Sequence, residues 1–151
     1  MSTFENINSI LVFAIENEQE AVDFYNNLAS QAKNEDMQKT FAQFAQEEMG
    51  HKARLLHIQE TGTNDLAVEK VQDLKIADYA VVTKPTPGMT YQDALILAMR
   101  KEKAAFKLYL TLSERVSGKA LKELFLALAV EESKHKLRFE LEYDENVLKD
   151  N

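Results

Sequence analysis

The stretches EEMGH (residues 47–51) and EESKH (residues 131–135) stand 84 residues apart, and both contain the pattern Glu-x-x-His. In each half a further glutamate stands 30 residues before the glutamate of that pattern: Glu18 before Glu48, and Glu102 before Glu132. Two isolated matches could arise by chance in a chain with 25 acidic residues, but equal spacing to a third carboxylate in both halves is far less expected. The repeat therefore indicates a duplicated helical hairpin.

The same 84-residue offset relates the rest of both halves, pairing Tyr25 with Tyr109, Leu28 with Leu112, Phe41 with Phe125 and Lys52 with Lys136. One hairpin is predicted at about residues 3–61, the other at about 90–145, and a crossover at 62–89. A short turn makes each hairpin antiparallel, and the long link lets the third helix start at the end where the second one starts. We expect one domain over residues 1–151, an all-α four-helix bundle with one long crossover.

Helix boundaries follow from capping residues and turn residues. The chain has only four glycines and two prolines, which favours helix throughout. Capping-box patterns predict helix starts at residues 2–5 and 90–93, and Asn34 and Asp36 suit the start of the second helix. The predicted ends are about Lys33, Thr61, Val116 and Tyr143, and the polar segment 144–151 is predicted to fray.

Composition excludes several classes of protein. No cysteine is present, so iron–sulfur clusters, thiolate metal sites and disulfides are excluded. A net charge of -7 without a basic cluster argues against nucleic acid as a partner. Because no segment resembles a signal peptide or approaches the length of a membrane span, we expect a cytoplasmic protein that does not enter membranes.

The six repeated polar residues interrupt apolar seams at helical spacing, so all of them can face the core near one level. Burying four carboxylates together is strongly unfavourable unless positive charge lies between them. Two divalent cations would balance four ionised glutamates, and the oxygen-rich set with two imidazoles suits iron or manganese better than a closed zinc site. We therefore predict a dinuclear, non-haem metal site held by Glu18, Glu48, His51, Glu102, Glu132 and His135.

Spacing also suggests individual roles. In Glu-x-x-His both side chains can reach the same ion, so His51 and His135 would each bind one cation. By the internal symmetry Glu48 and Glu132 would bridge the ions, with Glu18 and Glu102 as terminal ligands. The alternative is a decayed duplication that retains the pattern without metal.

The neighbouring polar residues allow more than one interpretation. Tyr25 and Tyr109 lie two helical turns beyond Glu18 and Glu102, and each would either donate a hydrogen bond to a ligating carboxylate of the other hairpin or only fill the core. Glu47 and Glu131 also repeat, but a solvated helix face is the favoured interpretation for both. His57 has no repeated partner and is interpreted as structural or surface.

The ligand positions, the two tyrosines and the stretch from Asp73 to Tyr109 resemble the rubrerythrin branch of the ferritin-like superfamily, in the form that lacks a rubredoxin domain. The resemblance covers essentially the whole chain. It implies a di-iron centre that reacts with hydrogen peroxide or dioxygen. Rubrerythrins proper carry a four-cysteine iron centre that delivers electrons, so an external electron-donor protein is implied here. They also carry a further glutamate one turn beyond the terminal ligand of the third helix, and this chain has Ala105 there.

Three functions remain open. The first is a di-iron oxidoreductase that reduces peroxide with electrons from the external donor. The second is a ferroxidase that oxidises incoming Fe(II) for storage or detoxification, and the third is a non-enzymatic bundle stabilised by metal. A homodimer is expected, and the long crossover would permit exchange of hairpins between protomers.

Overall fold

The computed structural model describes residues 2–61, 71–81, 85–86 and 88–150, with side chains as far as residue 146. It contains four long helices and one 3-10 turn at Ile76–Asp78. The helices are α1 (Ile7–Gln31), α2 (Glu35–Thr61), α3 (Tyr91–Arg115) and α4 (Lys119–Asp150). Helix α1 packs along α2, and α3 packs along α4. The predicted all-α bundle of two hairpins is confirmed, while residues 62–70, 82–84 and 87 of the predicted crossover lie outside the described residues.

The core consists of two apolar clusters at different heights of the bundle. One includes Leu11, Leu55, Leu112 and Phe125. The other includes Tyr25, Leu28, Phe41, Leu95 and Phe139. The buried glutamates and histidines come from the helix segments between these clusters, so apolar layers lie on both sides of the polar one. Within the ranges that the structure describes, no helix is both long and apolar enough to cross a bilayer.

The start of α1 differs from the prediction of a cap at residues 2–5. Asn6 is the N-cap, because its side-chain oxygen accepts from Ser9 N at 3.0 Å and its own N–H donates to Ser9 Oγ at 3.1 Å. Residues before it pair with the crossover instead, with Phe4 N donating to Leu74 O and Thr3 bridging Lys75. Burial of the Phe4 ring on the core outweighs the weaker capping pattern at Ser2–Glu5.

The C-terminal segment also departs from the prediction, since α4 continues to Asp150 instead of fraying after Tyr143. Residues 144–150 contain no glycine or proline, so nothing in the backbone ends the helix there. Asn146 donates from its side-chain amide to the backbone oxygen of Glu142 at 3.0 Å and to its carboxylate at 2.9 Å. Glu142 in turn accepts from the Tyr91 hydroxyl at 3.3 Å, which ties this turn to α3. The other two predicted starts are confirmed. Thr90 is the N-cap of α3, and α2 begins at Glu35, where the Asn34 side chain accepts from Met37 N at 2.8 Å.

Replacement of Asn6 by alanine is expected to lower the free energy of unfolding by about 1 kcal/mol, because Ser9 N loses the side-chain oxygen that caps α1, while the backbone N–H of residue 6 still donates to Ser9 Oγ. Chemical denaturation of the metal-free protein followed by circular dichroism measures this. Asn6→Ser is the matched control and should stay close to wild type, since serine caps nearly as well as asparagine. Equal stability of Asn6→Ala and wild type would show that the cap does not hold α1 in solution.

Candidate metal centre

Each helix brings its predicted polar residues to one level of the core. The six residues are each 3% exposed or less: Glu18 from α1, Glu48 and His51 from α2, Glu102 from α3, Glu132 and His135 from α4. Each hairpin therefore contributes three of the six residues, and the 84-residue offset relates one set of three to the other. All six of the predicted ligands are brought together.

The six residues form two overlapping groups that each offer four ligand atoms within 4.8 Å of one another. One group contains Glu18 and His51, and the other contains Glu102 and His135. Glu48 and Glu132 belong to both groups. Carboxylates that are to bridge two cations must be shared in this way, so the geometry suits the predicted bridging role of Glu48 and Glu132.

The candidate centre contains buried polar atoms that have no hydrogen-bond partner. Within the described residues, the buried side-chain nitrogen and oxygen atoms that lack a partner number six, one from each of the predicted ligands: Glu18 Oε2, Glu48 Oε1, His51 Nδ1, Glu102 Oε2, Glu132 Oε1 and His135 Nδ1. Leaving such atoms unsatisfied is costly, and cations would satisfy all of them together. The donor set, four carboxylates and two imidazoles, fits a pair of iron or manganese ions.

The histidines point the same ring atom at the carboxylates. His51 Nδ1 lies 2.9 Å from Glu132 Oε1 and 3.6 Å from Glu18 Oε2. His135 Nδ1 lies 2.9 Å from Glu48 Oε1 and 3.5 Å from Glu102 Oε1. Each imidazole therefore contacts the shared glutamate of the other hairpin as well as the unshared glutamate of its own.

The second ring nitrogen of each histidine meets a glutamate that was predicted to be only part of a solvated face. His51 Nε2 lies 2.5 Å from Glu131 Oε2, and His135 Nε2 lies 2.9 Å from Glu47 Oε2. Both carboxylates remain partly exposed, as a solvated face requires, but the interpretation as a solvated face alone is wrong because each carboxylate reaches across the groove between α2 and α4 to a histidine. Their repetition at the same offset as the predicted ligands was the signal that could have identified them. His57, by contrast, is exposed.

The two tyrosines hydrogen-bond the unshared glutamates across the bundle. The Tyr25 hydroxyl donates to Glu102, and the Tyr109 hydroxyl donates to Glu18. Burial and the charge of the glutamate that each contacts raise the pKa of both phenols well above their usual value. Both tyrosines therefore keep their protons at neutral pH and act as donors, linking one hairpin to the other at the level of the centre.

Electrostatics makes the cluster unfavourable as a set of bare charges. Burial raises the pKa of Glu132 well above its usual range, and the charges of Glu102, Glu48 and Glu18 raise it further. Burial and the charge of Glu48 likewise raise the pKa of Glu18. Burial alone would lower the pKa of His51, but the nearby carboxylates of Glu18 and Glu48 raise it to about 11. Protons balance these charges in the cation-free chain, and bound cations would replace them.

A small cavity reaches the carboxylates from the side of α1 and α3. Its volume is about 50 Å³, and its walls include all four glutamates of the centre. Further lining residues are Ala14, Asn17, Ala21, Lys101, Ala105 and Tyr79. A water molecule needs about 10–15 Å³ by this kind of measure, so the cavity holds only a few small molecules. Ala21 and Ala105 occupy equivalent positions in the repeat, and their short side chains leave this approach open.

Solved structures share the fold. A Thermotoga maritima protein described as a ferritin-like diiron-carboxylate protein superposes with a TM-score of 0.80 at 20% identity, over 97% of this chain and 99% of the other. A hypothetical protein from Pyrococcus furiosus superposes with a TM-score of 0.68 at 28% identity, over 91% and 87% of the two chains. These similarities show a ferritin-like architecture.

The search among curated proteins found no match. The family model described as rubrerythrin matches residues 9–89 and 93–149, which include both Glu-x-x-His patterns and both unshared glutamates. The match thus covers the two hairpins that assemble the centre. With the duplicated ligand pattern, the four-helix fold and this match in agreement, the chain belongs to the rubrerythrin family.

Proposed function

We propose that the protein is a non-haem di-iron oxidoreductase that reduces hydrogen peroxide. The reaction consumes one peroxide, two electrons and two protons and yields two water molecules. The single observation that carries this proposal is the pair of ligand groups sharing Glu48 and Glu132 beside a cavity of about 50 Å³. A cavity of this size suits an oxidant of two heavy atoms.

The six core side chains would hold the cations, and the surrounding residues prepare the site. When bound, two iron ions supply the electrons and the Lewis acidity needed to cleave an O–O bond. Tyr25 and Tyr109 fix the orientation of Glu102 and Glu18 by hydrogen bonds from opposite hairpins. The apolar clusters on both sides of the centre restrict water to the cavity. Manganese is the alternative metal that the same donor atoms suit.

The electrons would come from another protein. The chain has no cysteine and therefore cannot hold an iron–sulfur centre of its own. The partner we propose is a small electron-transfer protein that reduces the centre after each peroxide molecule.

The test is anaerobic reduction of the iron-loaded protein, followed by rapid mixing with hydrogen peroxide or with dioxygen. We expect two irons per chain and faster oxidation by peroxide than by dioxygen, followed through the absorbance of the ferric product. A protein that holds two irons but whose ferrous form does not react with peroxide over minutes would contradict the proposal. Faster reaction with dioxygen and uptake of many irons per chain would favour the ferroxidase instead. A redox-inert bound metal and no turnover would favour the non-enzymatic bundle.

Replacement of Ala105 by leucine is expected to slow oxidation by peroxide about tenfold, which corresponds to about 1.4 kcal/mol in the activation barrier. The added carbons would fill the cavity that leads to the glutamates, while no ligand atom is removed. The rate constant for peroxide and the iron content are measured on the same preparation. Ala53→Leu, on the exposed side of α2, is the matched control. An unchanged rate constant in Ala105→Leu would show that peroxide enters elsewhere.

A further inference from the structure

The groove between α2 and α4 contains two hydrogen bonds that cross it in opposite directions. His51 on α2 meets Glu131 on α4, and His135 on α4 meets Glu47 on α2. The two pairs are related by the same 84-residue offset as the predicted ligands. Two independent surface contacts would have no reason to repeat in this reciprocal form.

The chemistry of imidazole defines what these bonds would do in the metal-loaded protein. A neutral histidine carries one proton, and the ring nitrogen without that proton is the one that binds a cation. A carboxylate only accepts hydrogen bonds, so an Nε2 atom facing Glu131 or Glu47 carries the proton as donor. Nδ1 of His51 and of His135 is then the free nitrogen, and each is a buried atom without a hydrogen-bond partner.

The surroundings of the two pairs are not identical. Arg54 Nη1 lies 3.8 Å from Glu131 Oε2, whereas Arg138, its equivalent in the repeat, donates to Met37 Sδ. The Phe44 ring stacks on His135 with 4.1 Å between centroids, and the residue equivalent to Phe44 in the repeat is Leu128, which has no ring to stack. The carboxylate–histidine contact is retained although its neighbours differ, so the neighbours do not explain it.

We propose that Glu131 and Glu47 are positioning residues, each of which holds the histidine of the opposite helix with Nε2 protonated and Nδ1 directed at the cation. This inference rests on the dinuclear centre of the proposed function, but not on its reaction with peroxide. A carboxylate behind a ligating imidazole also makes it a stronger donor to the metal. Each glutamate then acts on one cation: Glu131 through His51 and Glu47 through His135.

Titration with Co²⁺ in competition with a chromophoric chelator tests the proposal. The variants Glu131→Gln and Glu47→Gln keep the shape of the side chain and remove its charge. We expect each to weaken one of the two Co²⁺ affinities about 10–100-fold and to leave the other near wild type, the range seen for partners of this kind. The matched control is Glu123→Gln, at an exposed glutamate of α4 that lies 3.9 Å from Lys119. The double variant should lose affinity at both positions.

Nuclear magnetic resonance of the Zn²⁺-loaded protein gives a readout that a structural role would not change. Wild type should show two slowly exchanging imidazole N–H signals assigned to Nε2, with Nδ1 bound to metal, and Glu131→Gln should alter only that of His51. Zinc bound through Nε2 in wild type would overturn the proposal. The proposal would also be overturned if Glu131→Gln and Glu47→Gln lowered the stability of the metal-free protein but left both Co²⁺ affinities unchanged. Wild-type protein that binds neither ion would overturn the dinuclear centre as well, which separates the two failures.

Discussion

Replacing Glu132 with glutamine is expected to reduce bound iron from two per chain to one or none and to abolish peroxide reduction. Glu132 offers an oxygen to both groups of ligands, so its loss affects both cation positions. Glutamine retains the size of the side chain but not the charge that a bridging ligand provides. Iron is measured after anaerobic loading and gel filtration. Glu48→Gln, the symmetric counterpart, should behave alike, whereas Glu18→Gln changes only one group and should retain more iron.

The stability of the cation-free Glu132→Gln variant separates ligand loss from misfolding. Because burial and three neighbouring carboxylates raise the pKa of Glu132, glutamine resembles the protonated form that the cation-free chain favours. The melting temperature of the cation-free variant should therefore equal or exceed that of cation-free wild type, while added iron should stabilise only wild type. Full iron content in Glu132→Gln would contradict the assignment of this residue as a shared ligand.

The second large effect is expected for Phe139→Ala, which should lower the free energy of unfolding by about 3–5 kcal/mol. Phe139 is fully buried and its ring lies 5.6 Å from that of Phe41 and 5.2 Å from that of Tyr25. Its removal leaves a cavity directly beside the tyrosine that donates to Glu102. Urea denaturation of the metal-free protein gives the loss, which is a large part of the 5–15 kcal/mol typical of a domain.

The same variant should also weaken metal binding, because Tyr25 loses the ring that holds it in place. Phe106→Ala is the control, since Phe106 is only half-buried at the edge of the other apolar cluster and should cost less stability. If Phe139→Ala and Phe106→Ala lowered the free energy of unfolding equally, packing around Phe139 would not be what supports Tyr25 beside the centre.

A periodic sequence pattern predicts which side chains of a helix face the core. Glu18 and Glu102 interrupt apolar seams, so their inward orientation and their common level followed from spacing alone. The matched offsets then joined four helix faces at one place, which is why all six buried residues of the centre were foreseen. Thr90 was foreseen as a cap because its partner, Asp93, is local in sequence.

The features that were missed depend on distances between segments. Glu47 and Glu131 precede the buried glutamates and point along the α2–α4 groove, where only the separation of the helices decides whether a side chain reaches a histidine. Phe4 is drawn from the predicted helix by contacts with residues of the crossover, about seventy positions away. In both cases a contact with a residue distant in sequence outweighed the local preference, and no local sequence pattern indicates such a contact.

The even division of the centre between the hairpins bears on its ancestry. Each hairpin contributes one unshared glutamate, one shared glutamate and one histidine, which is one of the two residues of each kind in the centre. An ancestral chain of a single hairpin would have completed the centre only by associating with another copy, so the present chain corresponds to a fused pair. Fusion frees each half to change alone, and the repeat already differs where Phe44, which stacks on His135, corresponds to Leu128. A centre that began with two identical positions can thereby come to distinguish its two metal ions.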